Sequence, residues 1–239
     1  MTRLVLLAGW GCDARLWQPL AGHWPVGLDV STPDWPGYGG RPALADPADL
    51  DSLADAMADD LPPDAVWVGW SLGGLLATAL LDYLPAPHAL VLLGMGERFC
   101  HDEGIPGAEL AAFRHAFTRD PDATLSHFRR WQLQGEPDPR AAHRQLRALL
   151  GNGDNESVGT DRATLAAGLT QLAELDNAER LARSPCPVWR IAGEQDPLLA
   201  PALRYSADHR LVDAGHGPML SQPASLTACL ADIARVTVP

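Results

Sequence analysis

The stretch Ala65-Val66-Trp67-Val68-Gly69-Trp70-Ser71-Leu72-Gly73-Gly74-Leu75-Leu76 decides the fold. It opens apolar and β-branched, passes through Gly-x-Ser-x-Gly, and continues into a Leu- and Ala-rich segment that ends near Leu84-Pro85. That order predicts a strand over 65–69, a sharp turn and a helix. A serine in such a turn is held in a strained backbone conformation at the top of a sheet, with its hydroxyl presented as a nucleophile. Gly69 and Gly73 leave room where side chains would otherwise collide across the turn. Ordinary Gly/Ser turns carry the same five-residue pattern, so the flanking strand and helix give the motif its meaning.

An acid and a histidine follow in the chain. Pro187-Val188-Trp189-Arg190-Ile191-Ala192-Gly193-Glu194-Gln195-Asp196-Pro197 reads as a short buried strand ending in an acidic turn. Arg210-Leu211-Val212-Asp213-Ala214-Gly215-His216-Gly217-Pro218 reads as another strand with a histidine just past its end. Ser71, Asp196 and His216 therefore each lie at the C-terminal end of a predicted strand, where open parallel sheets build their sites. Singly, Asp196 reads as a turn former before Pro197 and His216 as a loop residue. Their joint occurrence at two strand ends favours a catalytic triad. Asp213, Asp208 and Glu194 are rival acids, with Asp213 too close in sequence to orient the His216 ring easily.

The rest of the sheet follows from apolar runs separated by helical periods. Arg3 to Ala8 predicts a first strand, Asp13 to Leu20 a short helix and Gly27 to Ser31 a second strand. Leu50 to Leu61 predicts an amphipathic helix with Leu50, Leu53, Met57 and Leu61 on one face, and Ala89 to Leu93 the strand after the elbow. Strands alternating with helices imply a parallel sheet. Between Met95 and about Pro185 the alternation gives way to helical patterns at Ala108–Phe117, Ala123–Gln134, Arg140–Leu150 and Arg162–Leu172. The expected organisation is a core half over 1–98, a helical lid over 99–175, and a second core half over 176–239.

Composition narrows the class. At 239 residues and 46% hydrophobic content the chain can bury one good core, and no apolar run reaches the length of a membrane span. The apolar start Arg3-Leu4-Val5-Leu6-Leu7-Ala8-Gly9 is too short for a signal peptide and reads as the first core strand. Cys12, Cys100, Cys186 and Cys229 have neither metal-ligand nor redox spacing, which predicts reduced thiols in a cytoplasmic setting. The eight histidines form no metal motif. A net charge of −12 argues against nucleic acid or anionic membrane as partners. The charge is uneven: from Arg98 to Arg147, eight arginines face seven acidic residues, leaving ten arginines against twenty-three acids elsewhere. Arg140, Arg144 and Arg147 share one helical face, which is either a solvated surface or a docking patch for an anionic partner.

Gly9-x-Gly11-x-x-Ala14 after the first strand loosely matches a dinucleotide fingerprint, with Asp29 or Asp34 further on. That reading leaves Ser71, Asp196 and His216 without a role, and Trp10 and Arg15 crowd a phosphate loop. The alternative use of this loop is an oxyanion hole made by the backbone N–H groups of Trp10 and Leu72.

With these residues in hand, the chain resembles the α/β-hydrolase superfamily. More narrowly, it resembles the pimeloyl-acyl-carrier-protein methyl ester esterases of biotin synthesis. The likeness rests on Leu4 to Gly11 with Trp17, Gly69 to Leu75, Gly193 to Asp196, Ala214 to Pro218 with Ser221-Gln222-Pro223, and Gly168-Leu169 to Asp176. The resemblance implies a serine carboxylesterase that needs neither metal nor organic cofactor. It implies Trp10, Trp70 and Phe128 along an acyl channel, and Arg140 and Arg144, with Arg147 beside them, as the docking face for an acidic acyl-carrier protein. A monomer that meets its carrier transiently is expected. The chain departs from the family at Ala8, where a histidine is usual, at Ala123 and His127, where basic residues are usual, and in lacking an extra strand before the first. A generic esterase for short acyl esters, a carbon–carbon bond hydrolase with the same triad, and a non-catalytic binder on this fold are the competing readings.

Overall fold

The computed structural model describes residues 2–151 and 160–237. Six parallel strands form one sheet: β1 (Thr2–Leu7), β2 (Leu28–Ser31), β3 (Ala65–Trp70), β4 (Ala89–Leu93), β5 (Val188–Gly193) and β6 (His209–Leu211), in the order β2-β1-β3-β4-β5-β6. The alternation of strand side chains sorts them onto two faces. Val5, Leu7, Trp67, Leu90 and Leu92 pack on one side, beneath helices α1 (Leu50–Met57) and α2 (Leu72–Ala79). Leu4, Leu6, Val66, Val68, Trp70, Val91 and Leu93 pack on the other, against a 3-10 turn at Ala14–Leu20 and the C-terminal part of the chain. β3 and β4 are buried along their whole length, which is why both read as continuous apolar runs. The predicted helix over 50–61 stops at Met57, yet Leu61 still buries its side chain from the turn that follows.

Among the described residues four helices of 11–13 residues, ahead of a short fifth, lie between β4 and β5: α3 (Gly107–Arg119), α4 (Pro121–Trp131), α5 (Pro139–Leu150) and α6 (Arg162–Glu174). Residues 152–159, within the predicted lid, lie outside the described residues. α4 and α5 begin earlier than hydrophobic periodicity places them. Asp120 and Asp138 accept from the amides of Ala123 and Ala141, and Pro121 and Pro139 occupy the first helical turn. An Asp-Pro pair that looks like a loop is here a helix start, because the proline's missing N–H needs no partner there. Short α7 (Ala178–Ala182), α8 (Pro201–Tyr205) and α9 (Pro218–Ser221) follow, then α10 (Pro223–Thr237). α10 is not among the helices expected above, although Leu226, Leu230 and Ile233 recur at helical spacing and bury against the second face of the sheet.

The strand order positions the site. The chain leaves β1 for β2 on one side and returns to β3 on the other, so a crevice opens between the C-terminal ends of β1 and β3. The Gly9-Trp10-Gly11 loop and the turn at Ser71 occupy it.

Candidate active site

Ser71 follows β3 directly and precedes α2, with φ 55° and ψ −127°. A positive φ on a residue with a Cβ is strained, and it survives only where the surroundings fix it. Here the Ser71 amide donates to the Leu93 carbonyl at 3.0 Å, and the Ser71 carbonyl receives the Gly74 amide at 2.9 Å. Two close approaches complete the turn: a Cβ on Gly69 would strike the Gly73-Gly74 backbone, and one on Gly73 would come within 2.6 Å of the Ala8 carbonyl oxygen.

His216 and Asp196 lie beside this turn. His216 Nδ1 is 2.7 Å from Asp196 Oδ2, and both side chains are fully buried. Asp196 Oδ1 accepts the Leu198 amide at 2.8 Å, so the carboxylate is held at both oxygens. The rival acids lie elsewhere: Asp208 accepts the Arg190 amide, Glu194 sits 3.9 Å from Arg210, and Asp213 is exposed at φ 56°. Gly94, next to Leu93, lies so close to the pair that a Cβ there would be 3.0 Å from His216 Nδ1. Leu93 and Gly94 thus join the Ser71 turn to the His216–Asp196 pair. His216 Nε2 is buried with no protein partner. That nitrogen is the one a serine hydroxyl or a leaving group would use.

The first loop sits against the serine. A Cβ on Gly9 would lie 2.8 Å from Ser71 Cβ, which brings the Trp10 amide to the same end of the sheet as the Leu72 amide. The loop runs into a 3-10 turn, and α4 closes over it: Leu125 fills the space beside Gly11, while Arg129 donates to the Gly11 carbonyl at 2.8 and 3.2 Å. Without a long helix starting there and with Leu125 on top, the loop offers no dinucleotide cradle. The Cys12 thiol beside it is buried and its pKa is pushed up to about 11, chiefly by desolvation, so it is no nucleophile.

Trp10 connects this end of the sheet to helices α3, α4 and α6. Its indole N–H donates to the Leu165 carbonyl at 2.8 Å, and its ring meets Phe113, Phe117 and Phe128 edge-on at centroid distances of 5.8, 5.7 and 5.0 Å. Phe113 and Phe128 in turn line a mainly apolar cavity of about 200 Å³ between α3, α4 and α6, which also touches the exposed Glu109 and His127. Trp70 takes no part in that cavity. The alternation of β3 turns it to the opposite face from Trp67, where its indole N–H donates to the His216 carbonyl at 2.6 Å and its ring lies 5.1 Å from the imidazole. The expected channel residue is instead a support beneath the histidine, a correction that follows from β-strand parity.

On α5, Arg140, Arg144 and Arg147 are exposed and form no ion pair among the described residues. His143 shares their helix. Burial, then the charges of Arg147, Arg130 and Arg129, hold its pKa below the ordinary value. Among the described residues no group of three His, Cys, Asp or Glu side chains could hold a metal ion, and no helix is long and apolar enough to cross a membrane.

Residues 4–228 match the alpha/beta hydrolase family. The chain belongs to that family. It is 36% identical over 250 residues to the pimeloyl-[acyl-carrier protein] methyl ester esterase of Aromatoleum aromaticum, covering 97% of this chain and 98% of that one. The enzyme of the same name from Vibrio vulnificus is 30% identical over 234 residues, covering 93% and 90%. An esterase structure from Exiguobacterium antarcticum superposes with a TM-score of 0.79 at 18% identity, covering 98% and 92%, a likeness of fold. For this hydrolase, residue reading misses Glu136, Trp70's support of His216 and Arg129's grip on Gly11. Only the tertiary packing of the lid reveals the first and last.

Proposed function

We propose that this protein is a cytoplasmic serine carboxylesterase that removes the methyl ester from pimeloyl-acyl-carrier protein in biotin synthesis, with residues 99–175 as its lid. The supporting observation is a strained serine beside a buried His–Asp pair, under a lid that carries an apolar cavity and an exposed arginine face. His216, oriented by Asp196, takes the Ser71 proton as the hydroxyl oxygen attacks the ester carbonyl. The Trp10 and Leu72 amides receive the oxyanion, each contributing about 3–4 kcal/mol by analogy with other hydrolases. The tetrahedral intermediate collapses, His216 returns the proton to the departing methoxide, and methanol leaves. Water, deprotonated by His216, then attacks the acyl-enzyme and releases the carboxylate and Ser71.

The acyl chain would lie past Trp10 against Phe128, with the carrier held outside the lid. Because the enzyme is strongly acidic overall, an acidic carrier needs a local cationic surface, and Arg140, Arg144 and Arg147 supply one. A generic carboxylesterase is the second reading, favoured by the exposed Ala123 where a carrier-docking helix would carry a basic residue. The test is kcat/KM on pimeloyl-carrier methyl ester beside a free short-chain methyl ester. A strong preference for the carrier-bound ester is expected, and comparable rates would reduce the assignment to the generic esterase.

A further inference from the structure

We propose that Glu136, in the lid turn between α4 and α5, is a positioning residue for His216. This rests on His216 acting as the general base. Glu136 is 4% exposed, and both of its oxygens are committed to the histidine loop. Oε1 accepts the Gly217 amide at 2.6 Å, and Oε2 accepts the Ser221 hydroxyl. The first bond matters most because it acts on one particular peptide unit. The carbonyl of the His216–Gly217 peptide receives the Trp70 indole N–H, while its amide donates to Glu136. That peptide plane is therefore gripped from both sides, from the sheet below and the lid above. Its orientation sets the His216 backbone, and Asp196 then sets the ring at Nδ1.

The same turn bears on the acid loop. Gly135 lies against the Gln195 carbonyl, with no room for a Cβ, and Gly215 approaches so closely that a Cβ there would be 2.7 Å from Glu136 Oε1. Residues 135–136 thus wedge between the loops that carry Asp196 and His216. A buried carboxylate is costly unless its oxygens are satisfied, and here the satisfying donors belong to the catalytic loop. The lid therefore holds the histidine's backbone in place besides covering the site.

The test compares Glu136→Ala, Glu136→Asp, Glu136→Gln and Ser221→Ala with wild type on p-nitrophenyl acetate, after thermal melts establish that each is folded. Misplacement of a catalytic group by about 1 Å costs about 100-fold in rate. Glu136→Ala is expected to lose kcat on that scale with KM nearly unchanged. Glu136→Asp, too short to reach both donors, should also lose kcat and carries the test if the alanine variant does not fold. Glu136→Gln, which keeps the acceptor for Gly217, should restore most of the rate, and Ser221→Ala should cost only a few-fold. Unchanged kcat in folded Glu136→Ala or Glu136→Asp, a loss confined to KM, or a glutamine variant as impaired as alanine would overturn the proposal. The downfield Nδ1–H proton of His216 gives a readout independent of turnover: it should broaden or shift in Glu136→Ala and recover in Glu136→Gln. A wild-type protein inert on every ester would refute the general-base reading, while the proton signal would still report on the positioning.

Discussion

The strand ends and the outer face of the lid are built on opposite terms. At the strand ends, Asp196 is held at both oxygens and His216 at its ring, carbonyl and following amide, all out of water. On α5, Arg140, Arg144 and Arg147 stand in solvent with no ion-pair partner among the described residues. Chemistry at a serine needs groups fixed before the substrate arrives, since a preorganised dipole in a dry site is worth far more than a mobile one. Docking a transient macromolecule needs accessible charges that steer encounter and release quickly. Under the proposed function, reactivity belongs to the first region and choice of substrate to the second, so substitutions in the two should separate cleanly.

The largest effect is expected from Ser71→Ala, which should cut kcat by about 10⁶-fold on carrier-bound and free esters alike. Asp196→Asn should follow at about 10⁴-fold, again without regard to substrate, because the ring of His216 loses its tautomer rather than its place. A loss confined to one substrate in either variant would break the division. The lid should behave the other way. Arg140→Glu with Arg144→Glu is expected to lower kcat/KM for the carrier-bound ester about tenfold or more, while the free ester changes less than about twofold. Equal losses on both would point to a disturbed lid.

The smallest effect concerns His143. Its folded-state pKa is depressed by burial and by Arg147, Arg130 and Arg129, whereas in the unfolded chain it takes up a proton near pH 6.5. Below that pH the unfolded state binds more protons, so this group's contribution lowers stability as pH falls. His143→Gln should remove that part, narrowing the difference in Tm between pH 7.5 and pH 5.5 by no more than about 2 °C.

How much of this is legible in the sequence depends on which forces leave a local mark. β3 and β4 are buried on both faces, so they appear as unbroken apolar runs beside the Gly-x-Ser-x-Gly turn, and the parallel architecture follows. The same burial conceals which way Trp70 points, because no polar alternation marks the two faces. Asp196 is singled out in the sequence by its place at a strand end, with Asp208, Asp213 and Glu194 as rivals, and the packing of the two loops puts its carboxylate on His216. Glu136 leaves no sequence signal, since a Glu-Pro in a helix connection ordinarily faces solvent. The lid arginines are legible as a helical stripe, but their exposure emerges only once α5 is packed against its neighbours.

The most direct test of the division between strand ends and lid is the salt dependence of kcat/KM for the carrier-bound ester divided by that for a free methyl ester, in wild type and in the Arg140→Glu, Arg144→Glu variant. Screening acts on exposed charges beyond about 8–10 Å and spares buried ones. The ratio should start high in wild type and fall as salt rises, while the variant stays low and flat. A wild-type ratio near one, or one that salt leaves unchanged, would contradict the assignment of substrate choice to the lid.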